Sequence, residues 1–241
     1  MTLVVGLAFQ DGVVLASDSQ EDVEAGAIRR LDVQKLWPLA NGPKVKAAMG
    51  ASGHHGMMVH AYERVAARVG SLNRLTRQAL ISVAEEALWD LSKRYRHERG
   101  KSVEEVSSEE ATPLHLLIAG MDLERREPFV VYLPGSGPDT GIAESPHDYE
   151  AVGATTYAYY ILGTLYRKGL ERWQALELAI YTIAETERIC PTVGGSIQAI
   201  VVDEKEVEEL SPVEIQGLLE RVGKRRHALV EGWWQGGLPV R

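Results

Sequence analysis

Cysteine is nearly missing from this chain: Cys190 is the only one in 241 residues. An intramolecular disulfide is therefore impossible, and a reducing compartment is the simplest setting for it. Long apolar runs are missing too. No uninterrupted stretch approaches the about 18 residues of a membrane-crossing helix, and no basic segment followed by an apolar one marks a secretory signal. Positive charge is in deficit, with a formal net charge of −8 and an isoelectric point near 5.5. A nucleic acid or an anionic membrane would need a basic face, so neither is expected as a partner. Phosphate and metal motifs are wanting. Gly100-Lys101-Ser102 echoes the end of a P-loop, but Tyr95 occupies the place of its first glycine and no strand precedes it. His54, His55 and His60 cluster without the carboxylate or cysteine spacing of a zinc site. Gly135-Ser136-Gly137 lies among prolines, outside the context of a nucleophile elbow. The expectation is a soluble, cytoplasmic protein with no cofactor and no metal.

What is present is ordinary for a globular chain, with 45% hydrophobic and 25% charged residues. Residues 2–9 and 13–16 are rich in β-branched and aliphatic side chains. Gln10-Asp11-Gly12 between them signals a hairpin, because Asp-Gly tolerates the positive φ of tight turns. A strand beginning at the second residue is unusual, since chain ends normally fray. Something requires an ordered N-terminus. Further strands are expected at 30–39 and 44–49, around the turn Asn41-Gly42-Pro43. Met57, Tyr62, Val65 and Val69 recur at helical spacing, and a second helical stretch covers 75–96. The charged tract 93–110 reads as a helix end and an exposed loop. Strands are then expected at 114–119, 129–133 and 141–143, helices at 155–167 and 172–188, and a strand at 196–202. A last amphipathic helix covers 213–230, with Ser211 as N-cap and Pro212 in its first turn. There is no internal repeat and no low-complexity linker. The order predicts one domain over residues 1–241, built as two sheets covered by helix pairs rather than as alternating βαβ units.

Thr2 is the residue with the most specific chemistry. A small second residue permits methionine aminopeptidase to remove Met1, which would leave a free α-amine beside the threonine's own hydroxyl. That amine, with a reference pKa of about 7.7–8.0, can act as general base. A neighbouring lysine would lower its pKa and hold the base form.

The surroundings of Thr2 carry a resemblance. Residues 2–18 read TLVVGLAFQDGVVLASD: a threonine, a Val-Gly strand, an Asp-Gly turn, a second strand, then an acid. This resembles the opening of proteasome β-type subunits, which are N-terminal-nucleophile hydrolases. By that resemblance Asp18 orients a catalytic lysine. Lys35-Leu36-Trp37 matches the lysine element, with one extra residue in the intervening loop. Gly50-Ala51-Ser52-Gly53 matches a G-x-x-[AG] element whose first glycine gives its N–H to the oxyanion. Taken singly, Asp18 also suits a turn cap, Lys35 a strand edge and Gly50 a bend. Further on, Val152-Gly153-Ala154-Thr155-Thr156 stands where the family carries a serine hydroxyl. Thr155 or Thr156 would replace it, or would cap the helix. Before Gly194-Gly195, Cys190 and Val193 stand where the family has an Asp and a Ser, and Thr192 lies one residue from the latter. The absence of a propeptide before Thr2 fits bacterial relatives of the HslV or Anbu kind.

The resemblance implies an α+β fold, the four-layer αββα sandwich of the N-terminal-nucleophile hydrolases. It implies a threonine endopeptidase with Thr2 as nucleophile, Asp18, Lys35 and Gly50 in support, and hydroxyls from Thr155 and Thr192. It also implies homo-oligomeric rings acting on peptides or unfolded proteins, fed by a separate ATPase unfoldase because the chain has no ATPase motif. Two other readings stay open. Cys190 and Val193 suit a ring-forming subunit without catalysis, and an amidase acting on a small amide would use the same nucleophile.

Overall fold

A computed structural model describes residues 2–23, 28–72, 74–98, 114–135, 143 and 148–234. The first half runs β1 (Leu3–Phe9), β2 (Gly12–Ser17), β3 (Glu21–Val23), β4 (Ile28–Arg30), β5 (Leu36–Asn41), β6 (Val45–Gly53), α1 (His55–Ser71) and α2 (Arg77–Glu98). The second half runs β7 (Leu114–Asp122), β8 (Glu127–Leu133), β9 (Tyr149–Gly153), α3 (Thr155–Leu165), α4 (Arg172–Ile189), β10 (Gln198–Asp203), β11 (Val207–Glu209) and α5 (Pro212–Trp234).

The hydrophobic pattern of β1 dictates the layering. Its side chains alternate between faces, and every residue of the strand is buried, so both faces are covered. Leu3, Val5, Leu7 and Phe9 join a core with Ala158 and Leu162 of α3, Ala175, Ile180 and Ile183 of α4, and Leu218 of α5. Val4 and Ala8 point the other way, into a core with Leu36, Ala48, Leu117 and Val130 of the second sheet. That second sheet turns its far face to α1 and α2 through Met49, Ile118, Val65, Leu80 and Leu88. The result is a four-layer αββα sandwich. One sheet has the order β11-β10-β2-β1-β9, the other β5-β6-β7-β8, and β3 pairs with β4 in a small ribbon. Among the described residues no helix is long and apolar enough to cross a membrane.

The hairpin between β1 and β2 forms where its turn residues predict it, with Phe9 opposite Gly12. Its physical basis differs from the expected one. Gly12 is not among the described residues with positive φ. A Cβ on Gly12 would lie 2.2 Å from the Val202 carbonyl oxygen of β10, so the glycine is required for close approach of two strands.

Segment 30–39 was expected as one strand and is interrupted. Residues 31–35 leave the ladder because their backbone groups find other partners. Val33 N–H donates to Ser19 O at 3.0 Å, and Lys35 N–H donates to Gln198 Oε1 at 3.0 Å. Val33 O in turn accepts Gln198 Nε2–H at 2.8 Å. This irregular stretch lets Lys35 turn inward just before β5. Of the strand expected at 141–143, residues 141 and 142 lie outside the described residues and Ala143 is in no strand; the edge strand is β9. At the start of α5 Ser211 N–H donates to Glu214 Oε2 at 2.8 Å and Ser211 Oγ accepts Glu214 N–H at 3.4 Å, a reciprocal cap.

The glycine contacts make a paired prediction. Gly12→Ala should destabilise the protein by about 1–3 kcal/mol through overpacking. Gly163→Ala, on α3 where the nearest atom is the Tyr149 hydroxyl 3.8 Å away, should stabilise it by about 0.5–1 kcal/mol. Urea unfolding of the two variants reads both values, and equal effects would contradict the packing account.

Candidate active site

Asp18 follows directly after β2 and is 1% exposed. Its carboxylate accepts from four donors. Oδ1 takes Leu3 N–H at 2.9 Å and Lys35 Nζ at 2.9 Å; Oδ2 takes Gln20 N–H at 3.2 Å and Gly194 N–H at 3.1 Å. Lys35 is fully buried, and its ammonium also donates to the Gln20 carbonyl. Burial lowers the Lys35 pKa from the ordinary 10.5, while the negative charges of Asp18, Glu21 and Asp22 oppose the shift. A buried ion pair is tolerable only where other hydrogen bonds support it, and here Asp18 takes three backbone N–H groups and Lys35 the Gln20 carbonyl. Lys35 and the residue after Thr2 therefore meet on one oxygen.

Thr2 is 3% exposed and held from its other side. Ala154 N–H donates to Thr2 O at 2.8 Å, one step beyond the pairing of Leu3 with Gly153. Gly153 has φ +94°, and a Cβ there would lie 1.7 Å from Thr2 O, so no larger residue fits. The ends of β1 and β9 thus clamp Thr2 at a cavity of about 770 Å³, whose walls include Glu21, Ser52, Gly53, His115 and Thr155.

The glycine expected to donate to an oxyanion, Gly50, does not line the cavity. Gly50 pairs in register with Leu36 on one side and Leu117 on the other, and a Cβ there would meet Val4 at 2.6 Å. It is a packing glycine inside the sandwich, away from the cavity. Gly53, the last residue of the same element, lines the cavity with Thr2. Ala51 N–H donates to Lys35 O at 3.0 Å. Strand N–H groups alternate in direction, so Gly53 turns its N–H to that same edge, beyond the point where β5 ends its pairing.

The two expected hydroxyls part company. Thr155 is the first residue of α3 and lines the cavity; the N-cap position belongs to Ala154, which makes no side-chain cap. Thr192 is not brought to Thr2: its hydroxyl lies 3.2 Å from Cys190 Sγ. Val193 is buried in the core under the helices. The 190–195 loop instead acts through its backbone, since Gly194 O accepts Ser19 N–H at 3.1 Å and Gln20 N–H at 2.8 Å while Gly194 N–H serves Asp18.

Gly53, Glu21 and His115 were not singled out from the sequence. Gly53 lies with Ser52 in the four-residue element that was, and only strand register separates it from Gly50. His115 is a lone histidine in the apolar β7, without a motif. Its Nδ1 accepts the Gly135 N–H at 3.4 Å and lies 2.8 Å from the Tyr132 hydroxyl. Burial lowers its pKa, so the ring is neutral near pH 7.

The architecture and this site define a class, the N-terminal-nucleophile type of αββα sandwich. The sequence matches the Proteasome subunit family over residues 2–202, and the chain belongs to that family. The chain is similar to the proteasome subunit beta of Ferroglobus placidus, 26% identical over 231 residues, covering 92% of this chain and 95% of the relative. It is also similar to proteasome subunit beta type-9 of Oryzias latipes, 24% identical over 208 residues, with 86% and 85% covered. Among solved structures, Anbu (ancestral beta-subunit) from Yersinia bercovieri shares the fold with a TM-score of 0.75, 14% identity, and 99% and 98% of the two chains covered. Anbu from Hyphomicrobium sp. strain MC1 shares it with a TM-score of 0.71, 12% identity, and 96% of each chain covered.

The lowered Lys35 pKa has a measurable sign. Between that value and 10.5 the folded chain binds fewer protons than the unfolded chain. Stability from this residue is complete above 10.5 and is lost as the pH falls through the lowered value. The stability of the protein relative to its Lys35→Met variant should therefore rise with pH in that window, by up to about 1.4 kcal/mol per pH unit. A flat difference in urea midpoints across the alkaline range would refute the shift.

Proposed function

We propose that this chain is a threonine-type endopeptidase subunit of a self-compartmentalising, proteasome-like particle. The observation that carries the reading is the shared oxygen of Asp18, which takes both Lys35 Nζ and the backbone N–H next to Thr2, each at 2.9 Å. A lysine in that position lowers the proton affinity of a free Thr2 amine. With Met1 removed, the Thr2 hydroxyl attacks the scissile carbonyl carbon and passes its proton to the Thr2 amine. The oxyanion is received by the Gly53 N–H, in place of the Gly50 N–H expected from the sequence. Donors of this kind contribute about 3–4 kcal/mol in other hydrolases. The tetrahedral species then breaks its C–N bond, the amine returns the proton to the leaving nitrogen, and water hydrolyses the ester on Thr2. Thr155, at the cavity wall, is a hydroxyl available to hold that water or the amine.

The chain acts in this reading as one domain over residues 1–241, assembled with its own copies into a cytoplasmic ring. Peptides and unfolded chains are its substrates, and a separate ATPase would supply folded ones. A specific observation favours a second reading, a ring subunit without catalysis. With Val193 in the core and the Thr192 hydroxyl on Cys190, the 190–195 loop offers Thr2 no side-chain acid or hydroxyl.

Two measurements separate them. The intact mass of the purified protein should lack one methionine, and Thr2→Ala should lower hydrolysis of fluorogenic peptides by at least about a thousandfold. Retained Met1, or turnover unchanged in the variant, overturns the peptidase mechanism.

A further inference from the structure

The wall of the Thr2 cavity carries a carboxylate that the mechanism does not use. Glu21 is 9% exposed and lines the cavity beside Asp22. Its Oε1 accepts the His55 N–H at 3.0 Å, just past Gly53 and His54. Its Oε2 is buried and accepts no hydrogen bond from the described residues. The Lys35 ammonium donates to Asp18 and the Gln20 carbonyl and acts on Glu21 through its field. Among the described residues, the cations next to the pair are on β4, paired across the ribbon from β3. Arg30 Nη1 stands 3.7 Å from Glu21 Oε2 and Arg29 Nε 3.7 Å from Asp22 Oδ1, with side chains 59% and 56% exposed. Both distances exceed a hydrogen bond, and ion pairs so exposed are weak. A buried carboxylate oxygen without a donor is costly to keep, and such a group in a native site calls for a partner.

We propose that Glu21, with Asp22 beside it, selects substrates with a cationic side chain, Arg or Lys, on the residue that supplies the scissile carbonyl. This rests on the peptidase reading of the same cavity and deepens it to a substrate class. The position follows from local geometry. A carbonyl docked on the Gly53 N–H belongs to a residue whose side chain emerges beside segment 52–55, and Glu21 is tied to that segment through His55 N. A guanidinium or ammonium arriving there gives Oε2 its missing donor and displaces the loosely held Arg30. Besides the Thr2 amine that the mechanism uses, the other titratable groups on the cavity wall are His54, His115, Tyr132 and Tyr159, none a fixed cation. Burial keeps His115 neutral and Tyr159 protonated.

The test compares fluorogenic tripeptides that differ only in Arg, Leu or Glu before the reporter. Arg should exceed Leu in kcat/KM by about tenfold or more, the scale of a hydrogen bond to a charged group, with Glu poorest. Glu21→Gln should cut the Arg-to-Leu ratio about tenfold. An effect transmitted through Lys35 would lower both substrates alike and leave the ratio unchanged, which overturns the proposal, as does a wild-type preference for Leu or Glu. Binding gives a readout independent of turnover. Acetyl-Leu-Leu-Arg amide should bind the Thr2→Ala protein about tenfold tighter than its norleucine counterpart, and Glu21→Gln in that background should abolish the difference. Equal binding of the two peptides overturns cation selection even if peptidase activity is found. Arg-selective binding with no turnover of any peptide would instead remove the peptidase reading and keep the cation site.

Discussion

Everything at the Thr2 end of this sandwich depends on one carboxylate with four donors. Asp18 joins the start of β1, the inward-turned Lys35, the turn after β2 and the 190–195 loop, and it does so with no solvent to share the charge. Removing the carboxylate would leave the lysine, among the described residues, hydrogen-bonded only to the Gln20 carbonyl, and a buried charge stripped of its paired partner is among the costliest defects a fold can carry. Structure and chemistry are inseparable here. The same oxygen that closes the end of the sheet fixes the cation beside Thr2.

Much of this was legible in the sequence because it is written in local signals. The two-residue turn Gln10-Asp11 sets the register of β1 against β2, and that register delivers Asp18 to Leu3 N. Double-sided burial of Leu3–Phe9 announces a strand covered on both faces, and the grouping of strands and helices gives the layers. Lys35, read as a strand residue, proved to lie in a non-ladder stretch, yet its pairing with Asp18 is the one the resemblance implied.

What stayed hidden depends on register and on distant partners. Gly50 and Gly53 are three positions apart in one strand, hence on opposite faces, and no local property distinguishes the one that packs on Val4 from the one that meets the cavity. Strand β9 escaped because a five-residue strand with Glu150 at its second position breaks the apolar pattern, although Glu150 is buried and takes the Tyr159 hydroxyl as donor. Thr192 was not brought to Thr2 for the same reason. The loop's contribution runs through Gly194 backbone atoms, which carry no sequence signal beyond a glycine.

The clamp of Thr2 between β1 and β9 also sets a timetable. Leu3 and Gly153 are ladder neighbours, and β10, which flanks β2 on the other side, comes later still. A ribosome making this chain releases β1 long before β9 and β10 exist, and sequence-distant pairings of this kind close slowly. Until β9 docks, the Thr2 carbonyl has neither the Ala154 N–H nor the Gly153 backbone against it, so the near end of β1 is fixed only when a strand far along the chain arrives.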